Sequence, residues 1–164
     1  MHKFAKALEI KKSNLIFFKF SILLKYILGL ILTELKRTDE AMKCYEKGIK
    51  IQPSHAMLHN NLGSIYKLKE NYSKAENYFK KSIDLDKNIP EPQNNLGNLY
   101  RNQNKHGKAI ECYKKAVNIN PKFFISHYNL GIIYKSIGEF AKAKKCLEEA
   151  VNLNEHFFPA HRNL

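Results

Sequence analysis

Residues 94–121 read N-N-L-G-N-L-Y-R-N-Q-N-K-H-G-K-A-I-E-C-Y-K-K-A-V-N-I-N-P, and this stretch decides the fold. Its pattern returns at 60–87 and again at 128–155, so the chain is an array of internal repeats. Residues that recur every 34 positions form a column of the repeat. The Leu column contains Leu28, Leu62, Leu96, Leu130 and Leu164, the Gly column contains Gly29, Gly63, Gly97 and Gly131, and the Ala column contains Ala7, Ala41, Ala75, Ala109 and Ala143. So many columns held in phase indicate one structural unit used several times.

Each unit contains two segments with helical periodicity. Leu62, Gly63 and Tyr66 share one face of a first helix, because Tyr66 follows Leu62 by four residues and Gly63 by three, which is about one helical turn. Ala75 and Phe79 share a face of a second helix in the same way. One helical hairpin cannot bury this apolar face alone, so we expect the hairpins to stack along an axis.

The full pattern resembles the tetratricopeptide repeat. Gly97 is followed by Tyr100, then by Ala109 and by Tyr113, which are the small and aromatic positions of that family. The resemblance implies an all-α, right-handed superhelix of antiparallel helix hairpins with a period of about 34 residues. It also implies a protein-binding scaffold, because this family mostly binds other proteins.

The repeat divides the whole chain. We predict a partial repeat at 1–21 (second helix only), full repeats at 22–55, 56–89, 90–123 and 124–157, and the start of a further repeat at 158–164. The predicted second helices of the full repeats are 39–50, 72–85, 106–119 and 140–153. No polar capping helix follows, so the chain is either a fragment of a longer array or has its end covered.

The segment Leu15–Leu32 is apolar enough to be a candidate membrane anchor instead of a repeat helix. Its apolar residues and its two lysines, Lys19 and Lys25, give an insertion energy near zero, so hydropathy alone does not decide. Leu28 and Gly29 stand in the repeat columns, which favours a repeat helix over an anchor.

The compartment is predicted from the cysteines and the N-terminus. Cys44, Cys112 and Cys146 occupy one column, so neighbours lie about 10 Å apart, which is too far for a disulfide. The chain also lacks a secretory signal with a small-residue cleavage site. Both observations favour reduced thiols and a cytoplasmic protein.

Catalytic motifs are missing from the sequence. It contains no G-x-x-x-x-G-K, G-x-S-x-G, H-E-x-x-H or C-x-x-C, so we predict no catalytic residues and no cofactor. His59, His127 and His161 share one column without carboxylates or cysteines beside them. We therefore interpret them as packed imidazoles and predict no metal site.

The candidate binding residues are asparagines of the first helices. They stand one residue before the Leu column, where we expect side chains to point off the packing face toward the inner side of the stack. This column contains Asn61, Asn95, Asn129 and Asn163, and beside it stand Asn60, Asn94, Ser64 and Asn98. An amide both donates and accepts hydrogen bonds, so it can hold a peptide backbone. In this feature the array is similar to the superhelix of the protein O-linked N-acetylglucosamine transferase family, although Ile27 replaces the asparagine in the first unit. The alternative is that these amides only solvate the surface.

The net charge of +13 raises the hypothesis of nucleic-acid binding. Most lysines fall in exposed columns of second helices, and arginine, which forms bidentate contacts with phosphate, is rare. We therefore do not expect nucleic acid as a partner. Lys67, Arg101 and Lys135 form a basic row on the inner side, which predicts an extended and acidic protein segment as the ligand.

Two further functions stay open at this stage. The array could be the substrate-recognition arm of a longer enzyme, such as a glycosyltransferase similar to the O-linked N-acetylglucosamine transferases, with its catalytic domain beyond Leu164. It could also be an assembly factor tethered to a membrane by Leu15–Leu32.

Overall fold

The computed structural model describes residues 20–164, and all regular structure in this range is helical. The helices are α1 (20–34), α2 (Thr38–Ile51), α3 (Ala56–Leu68), α4 (Tyr72–Leu85), α5 (Pro90–Asn102), α6 (His106–Ile119), α7 (Phe124–Ser136), α8 (Phe140–Leu153) and α9 (Phe158–Asn163). The predicted all-α solenoid is confirmed. The predicted partial repeat at 1–21 lies almost entirely outside the described residues.

A left-handed residue forms each turn from a first helix to a second helix. Lys36, Glu70, Asn104 and Gly138 have positive φ values of 59°, 57°, 57° and 80° and occupy the same column of successive units. Such a residue ends a helix and lets backbone amides after it bond the last free carbonyls. The N–H of Asn71, for example, donates to the carbonyl of Tyr66 at 2.9 Å. The same sharp reversal therefore recurs in every unit.

The core of each hairpin is a contact between a glycine and a large side chain. A Cβ atom added to Gly97 would lie 2.6 Å from Cε1 of Tyr113, and one added to Gly63 would lie 2.8 Å from Phe79. Tyr113 and Phe79 are completely buried. The Gly column is therefore required for the close approach of the two helices, as the sequence pattern indicates.

The helices form two layers. α3 contacts α5 directly, and α5 contacts α7, whereas α4 packs mainly on α3 and α5. Successive first helices are thus closer to each other than successive second helices. The first helices therefore line the narrow, inner side of the stack, and the second helices form its outer side.

The packing face of α1 is largely exposed. Leu24, Leu28 and Ile31 are 49%, 39% and 50% exposed, whereas the equivalent residues of α3 are buried. No helix within residues 20–164 combines the length and the apolar content needed to cross a membrane. The rest of the predicted anchor, residues 15–19, lies outside the described range.

Candidate functional site

A ladder of side-chain amides joins the first helices. Nδ2 of Asn95 donates to Oδ1 of Asn60 at 2.9 Å, and Nδ2 of Asn129 donates to Oδ1 of Asn94 at 2.8 Å. Both bonds connect a residue to one 35 positions earlier, so the same bond crosses two successive unit boundaries. The hydroxyl of Ser126 adds a second donor to Oδ1 of Asn94 at 3.0 Å.

The ladder corrects the expectation that all these amides face an open groove. Asn60, Asn94 and Asn129 are only 3%, 5% and 5% exposed, because their amides are enclosed between neighbouring first helices. The periodicity of one helix places them off the hairpin packing face, but the next helix of the stack covers them. Their hydrogen bonds hold the fold together.

Tyrosines interrupt the ladder at both ends. Tyr26 and Tyr128 occupy the column of Asn60 and Asn94, so Asn61 and Asn163 have no equivalent asparagine acceptor. Asn61 accepts from Nδ2 of Asn60 at 3.1 Å, and its own Nδ2 is buried without a hydrogen-bond partner. Asn163 donates to the carbonyl of its own helix residue Pro159 at 2.8 Å. In the sequence, the signal for the ladder is the pair of consecutive asparagines in a unit. The prediction from single columns did not use this signal.

Half-buried polar side chains surround the ladder on the inner side. The hydroxyl of Ser64 donates to the carbonyl of Asn60 at 3.3 Å, and Asn98 accepts from the hydroxyl of Tyr113 at 2.9 Å. Within residues 20–164, no acceptor is bonded to Nδ2 of Asn98 and no donor to Oδ1 of Asn95. The amides of Asn95 and Asn98 therefore keep one polar atom each for a ligand.

The basic row runs along the same side. Nη1 of Arg101 donates to Oδ1 of Asn129 at 3.3 Å, and Nζ of Lys135 donates to the backbone carbonyl of Asn163 at 3.1 Å. Lys67 is half-buried, and this burial, together with the nearby charge of Arg101, lowers the pKa of its ammonium group. Each cation thus belongs to a different first helix, and the side chains of Arg101 and Lys135 contact the first helix of the following unit.

Carboxylates do not neutralise this row in the described structure. The ion pairs between described residues are Arg37–Glu40, Lys69–Asp39, Lys80–Glu76, Lys142–Glu139 and Lys144–Glu148. None of them includes Lys67, Arg101 or Lys135. The inner side therefore carries positive charge that is available to an anionic partner.

The histidine column packs the turns between units. Nε2 of His59, His127 and His161 lies 2.8, 2.9 and 2.8 Å from the carbonyls of Pro53, Pro121 and Glu155. In the described range, no cluster of three or more His, Cys, Asp or Glu side chains could hold a metal ion. Each imidazole ring therefore forms a hydrogen bond with the loop that precedes its own helix.

One of these rings makes stability depend on pH. His59 is buried, and this burial lowers the pKa of its imidazole below the ordinary 6.5. The unfolded chain then binds the proton more readily, so the free energy of unfolding is highest above about pH 6.5 and falls as the pH falls through that value. We expect His59→Gln to reduce the loss of stability between pH 7.5 and pH 5.5, measured by urea unfolding.

His127→Gln is the matched control, because His127 makes the same hydrogen bond but is partly exposed. If both variants reduce the pH dependence equally, burial of His59 is not its cause.

Comparisons with known proteins agree with this architecture. Family models described as "Tetratricopeptide repeat" match residues 21–88, 78–111 and 124–157, and a model described as "TPR repeat" matches residues 97–138. The matches together extend from residue 21 to residue 157. A comparison with curated protein sequences found no match.

Solved structures also resemble the chain. A crystal structure of MamA is 25% identical with a TM-score of 0.69, over 82% of this chain and 79% of that chain. MamA from Desulfovibrio magneticus RS-1 is 21% identical with a TM-score of 0.67, over 81% and 75%. PilF of Pseudomonas aeruginosa is 20% identical with a TM-score of 0.78, over 89% and 74%. At such low identity, the likenesses to the last two show the fold alone. The repeat matches and the stacked hairpins show that residues 21–157 consist of tetratricopeptide repeats.

Proposed function

We propose that the inner side of α3, α5 and α7 binds an extended, acidic segment of another protein. Tetratricopeptide repeats support the general function of a scaffold for protein–protein interaction. The observation that carries the finer proposal is the basic row Lys67, Arg101 and Lys135, which has no carboxylate partner within residues 20–164. An acidic segment lying across successive first helices would meet one cation from each.

The surroundings of the row support a charged ligand. Lys67 is half-buried beside Arg101, so the two charges repel each other in a partly desolvated place. A carboxylate bound there would relieve this repulsion, and hydrogen bonds to charged groups contribute about 1.5–3 kcal/mol each. The remaining amide atoms of Asn95 and Asn98 lie on the same side and can bond a peptide backbone.

We expect the double variant Lys67→Gln/Arg101→Gln to bind an aspartate- and glutamate-rich peptide at least about tenfold more weakly, since the loss of one charged hydrogen bond corresponds to about that factor. Fluorescence anisotropy with a short, labelled acidic peptide measures the change. Glutamine removes the charge and keeps an amide donor at both positions.

The control is Lys81→Gln/Lys114→Gln, which removes the same charge from exposed positions on the outer side. Its affinity should stay within about threefold of the original, because exposed charges are screened by solvent and salt. Equal losses in the two double variants, or equal binding of an acidic and a basic peptide by the unchanged chain, would remove the inner row from the proposal.

The alternative function, the substrate-recognition arm of a longer glycosyltransferase-like enzyme, would use this same surface. The observation that favours it is the asparagine column, of which Asn95 keeps a free amide oxygen within residues 20–164. A transferase domain encoded in the same reading frame after Leu164 would support this alternative. A stop codon there would support the scaffold function instead.

A further inference from the structure

The inner columns of α1 hold only apolar side chains, Leu23, Ile27 and Leu30. We name these three residues the apolar inner patch. The equivalent residues of the next first helices include polar ones in every case. They are Met57, Asn61 and Ser64 in α3, Glu91, Asn95 and Asn98 in α5, and Ile125, Asn129 and Ile132 in α7. Among the first helices of residues 20–164, α1 alone lacks a polar side chain at these columns.

α1 occupies the place of a first helix in the stack. A Cβ atom added to Gly29 would collide with the ring of Tyr45, which is the same glycine contact as in the later hairpins. Ile22 and Leu32 belong to the same buried cluster as Leu58 of α3. Since α1 packs like the other first helices, its inner columns continue the inner side of α3.

The apolar inner patch is open to solvent in the described structure. Leu23, Ile27 and Leu30 are 53%, 43% and 39% exposed. Neighbouring apolar side chains that are exposed together are typical of a surface that binds a partner.

A second helix before α1, as predicted at 1–21, would cover a different part of α1. In the following unit α2 covers Leu58, whose Cδ1 lies 2.8 Å from a Cβ atom added to Gly48. Leu58 is completely buried, whereas Met57, the equivalent of Leu23, stays half-buried. The equivalent of Leu58 in α1 is Leu24, so a preceding second helix would bury Leu24 and leave the apolar inner patch accessible.

The basic row ends before α1. Its column holds Thr33 in α1, and the hydroxyl of Thr33 donates to the carbonyl of Gly29 at 2.8 Å. The next residue is the exposed Glu34, which repels a carboxylate. An acidic ligand residue therefore has a cation to meet in this column on α3, α5 and α7, but not on α1. Apolar ligand residues match the inner side of α1 instead.

The spacing of the helices sets the spacing of the ligand residues. Packed helices lie about 8–10 Å apart, and an extended chain advances about 3.3–3.6 Å per residue. A segment that crosses the first helices therefore advances about three residues from one helix to the next.

We infer that the ligand of the inner side carries apolar residues about three positions beyond the acidic residue that meets Lys67, and that these residues bind the apolar inner patch. This inference rests on the proposed function and adds a second element of recognition to it. The cations recur from unit to unit, so an acidic segment alone could bind shifted by one helix. The apolar inner patch occurs at one end of the row and would set the register.

The test uses the full chain and three labelled peptides with an acidic residue at every third position. One peptide has two serines at each end. The other two have two leucines in place of the serines at the N-terminal or at the C-terminal end, which covers both chain directions. Fluorescence anisotropy should show one leucine peptide bound at least about tenfold more tightly than the serine peptide, because partial burial of two leucines corresponds to about that factor.

Ile27→Asn/Leu30→Ser gives α1 the residues of α3 at these two columns and should remove the tenfold gain without changing the affinity for the serine peptide. The matched control is Ile137→Asn/Leu35→Ser, which makes the same exchanges at exposed positions in the turns after α7 and α1. It should keep the gain. Leu23→Glu, which copies α5, should also remove the gain and decides the test if the first variant does not fold.

The outcomes separate this inference from the proposed function. If the serine peptide does not bind, the proposed function fails and this inference with it. If the serine peptide binds and neither leucine peptide binds more tightly, only this inference fails. Equal loss of the gain in the two double variants would also overturn it. So would an unchanged gain in Ile27→Asn/Leu30→Ser together with lost self-association or lost vesicle binding, which would assign the patch to a second copy or to a lipid surface.

Discussion

Phe79→Ala should lower the free energy of unfolding by about 3–5 kcal/mol, the range for removing a large aromatic side chain from a packed core. Phe79 is completely buried and belongs to a cluster that extends through α5 and α6. It also fills the space that the missing side chain of Gly63 leaves, so an alanine would leave a cavity at the centre of a hairpin. Urea unfolding followed by circular dichroism measures the change.

Asn77→Ala is the control for this prediction, since Asn77 is exposed on the same helix. We expect it to change the free energy of unfolding by less than about 0.5 kcal/mol, as is usual for surface positions. A loss below about 1.5 kcal/mol in Phe79→Ala would mean that the hairpin collapses around the cavity.

Asn94→Ala should be the most damaging change in the amide ladder. Asn94 accepts hydrogen bonds from Asn129 at 2.8 Å and from Ser126 at 3.0 Å, and its removal leaves both donors buried. Each unsatisfied buried group costs about 1–3 kcal/mol, so we expect a loss of about 2–4 kcal/mol. Urea unfolding measures it.

Two comparisons separate the lost bonds from a general effect of the substitution. Asn102→Ala removes an exposed asparagine from the same helix and should be nearly neutral. In a double-mutant cycle, Ser126→Ala should cost less in the Asn94→Ala background than alone, because its donor no longer has an acceptor. Additive losses would show that the bond between Ser126 and Asn94 contributes nothing.

These two predictions also determine how peptide binding has to be tested. A variant that replaces Asn129 loses a hydrogen bond of the fold, so weaker binding could result from lower stability. Lys67 and Arg101 are better positions, because glutamine retains a polar side chain at both.

The fold could be predicted from the sequence because its signals are local. Leu96 and Gly97 recur with Tyr113 at spacings that one hairpin determines, and this pattern is repeated in phase along the chain. The second helices predicted at 72–85, 106–119 and 140–153 have the bounds of α4, α6 and α8. The close contact between Gly97 and Tyr113 explains why a glycine and a large side chain recur together at these two positions of each unit.

The candidate site could be predicted only in part, because it depends on how neighbouring units pack. The helical period indicates that Asn129 leaves the face of its own hairpin, but it does not indicate that α5 covers this side chain. The binding role of the basic row stays a prediction. Its residue Arg101 contacts Asn129 of the next first helix, on the side that the helical period indicates.

The amide ladder makes the order of the units matter. Its acceptor, as in Asn60 or Asn94, belongs to one unit, and its donor belongs to the following one, so the bond forms only where both stand in this order. A unit that presents Tyr26 or Tyr128 at this place has no amide oxygen to supply. Duplicating the unit of Asn60 or of Asn94 would therefore lengthen the ladder, whereas duplicating the unit of Tyr128 would add a junction without this bond, although every unit on its own fits the same family pattern.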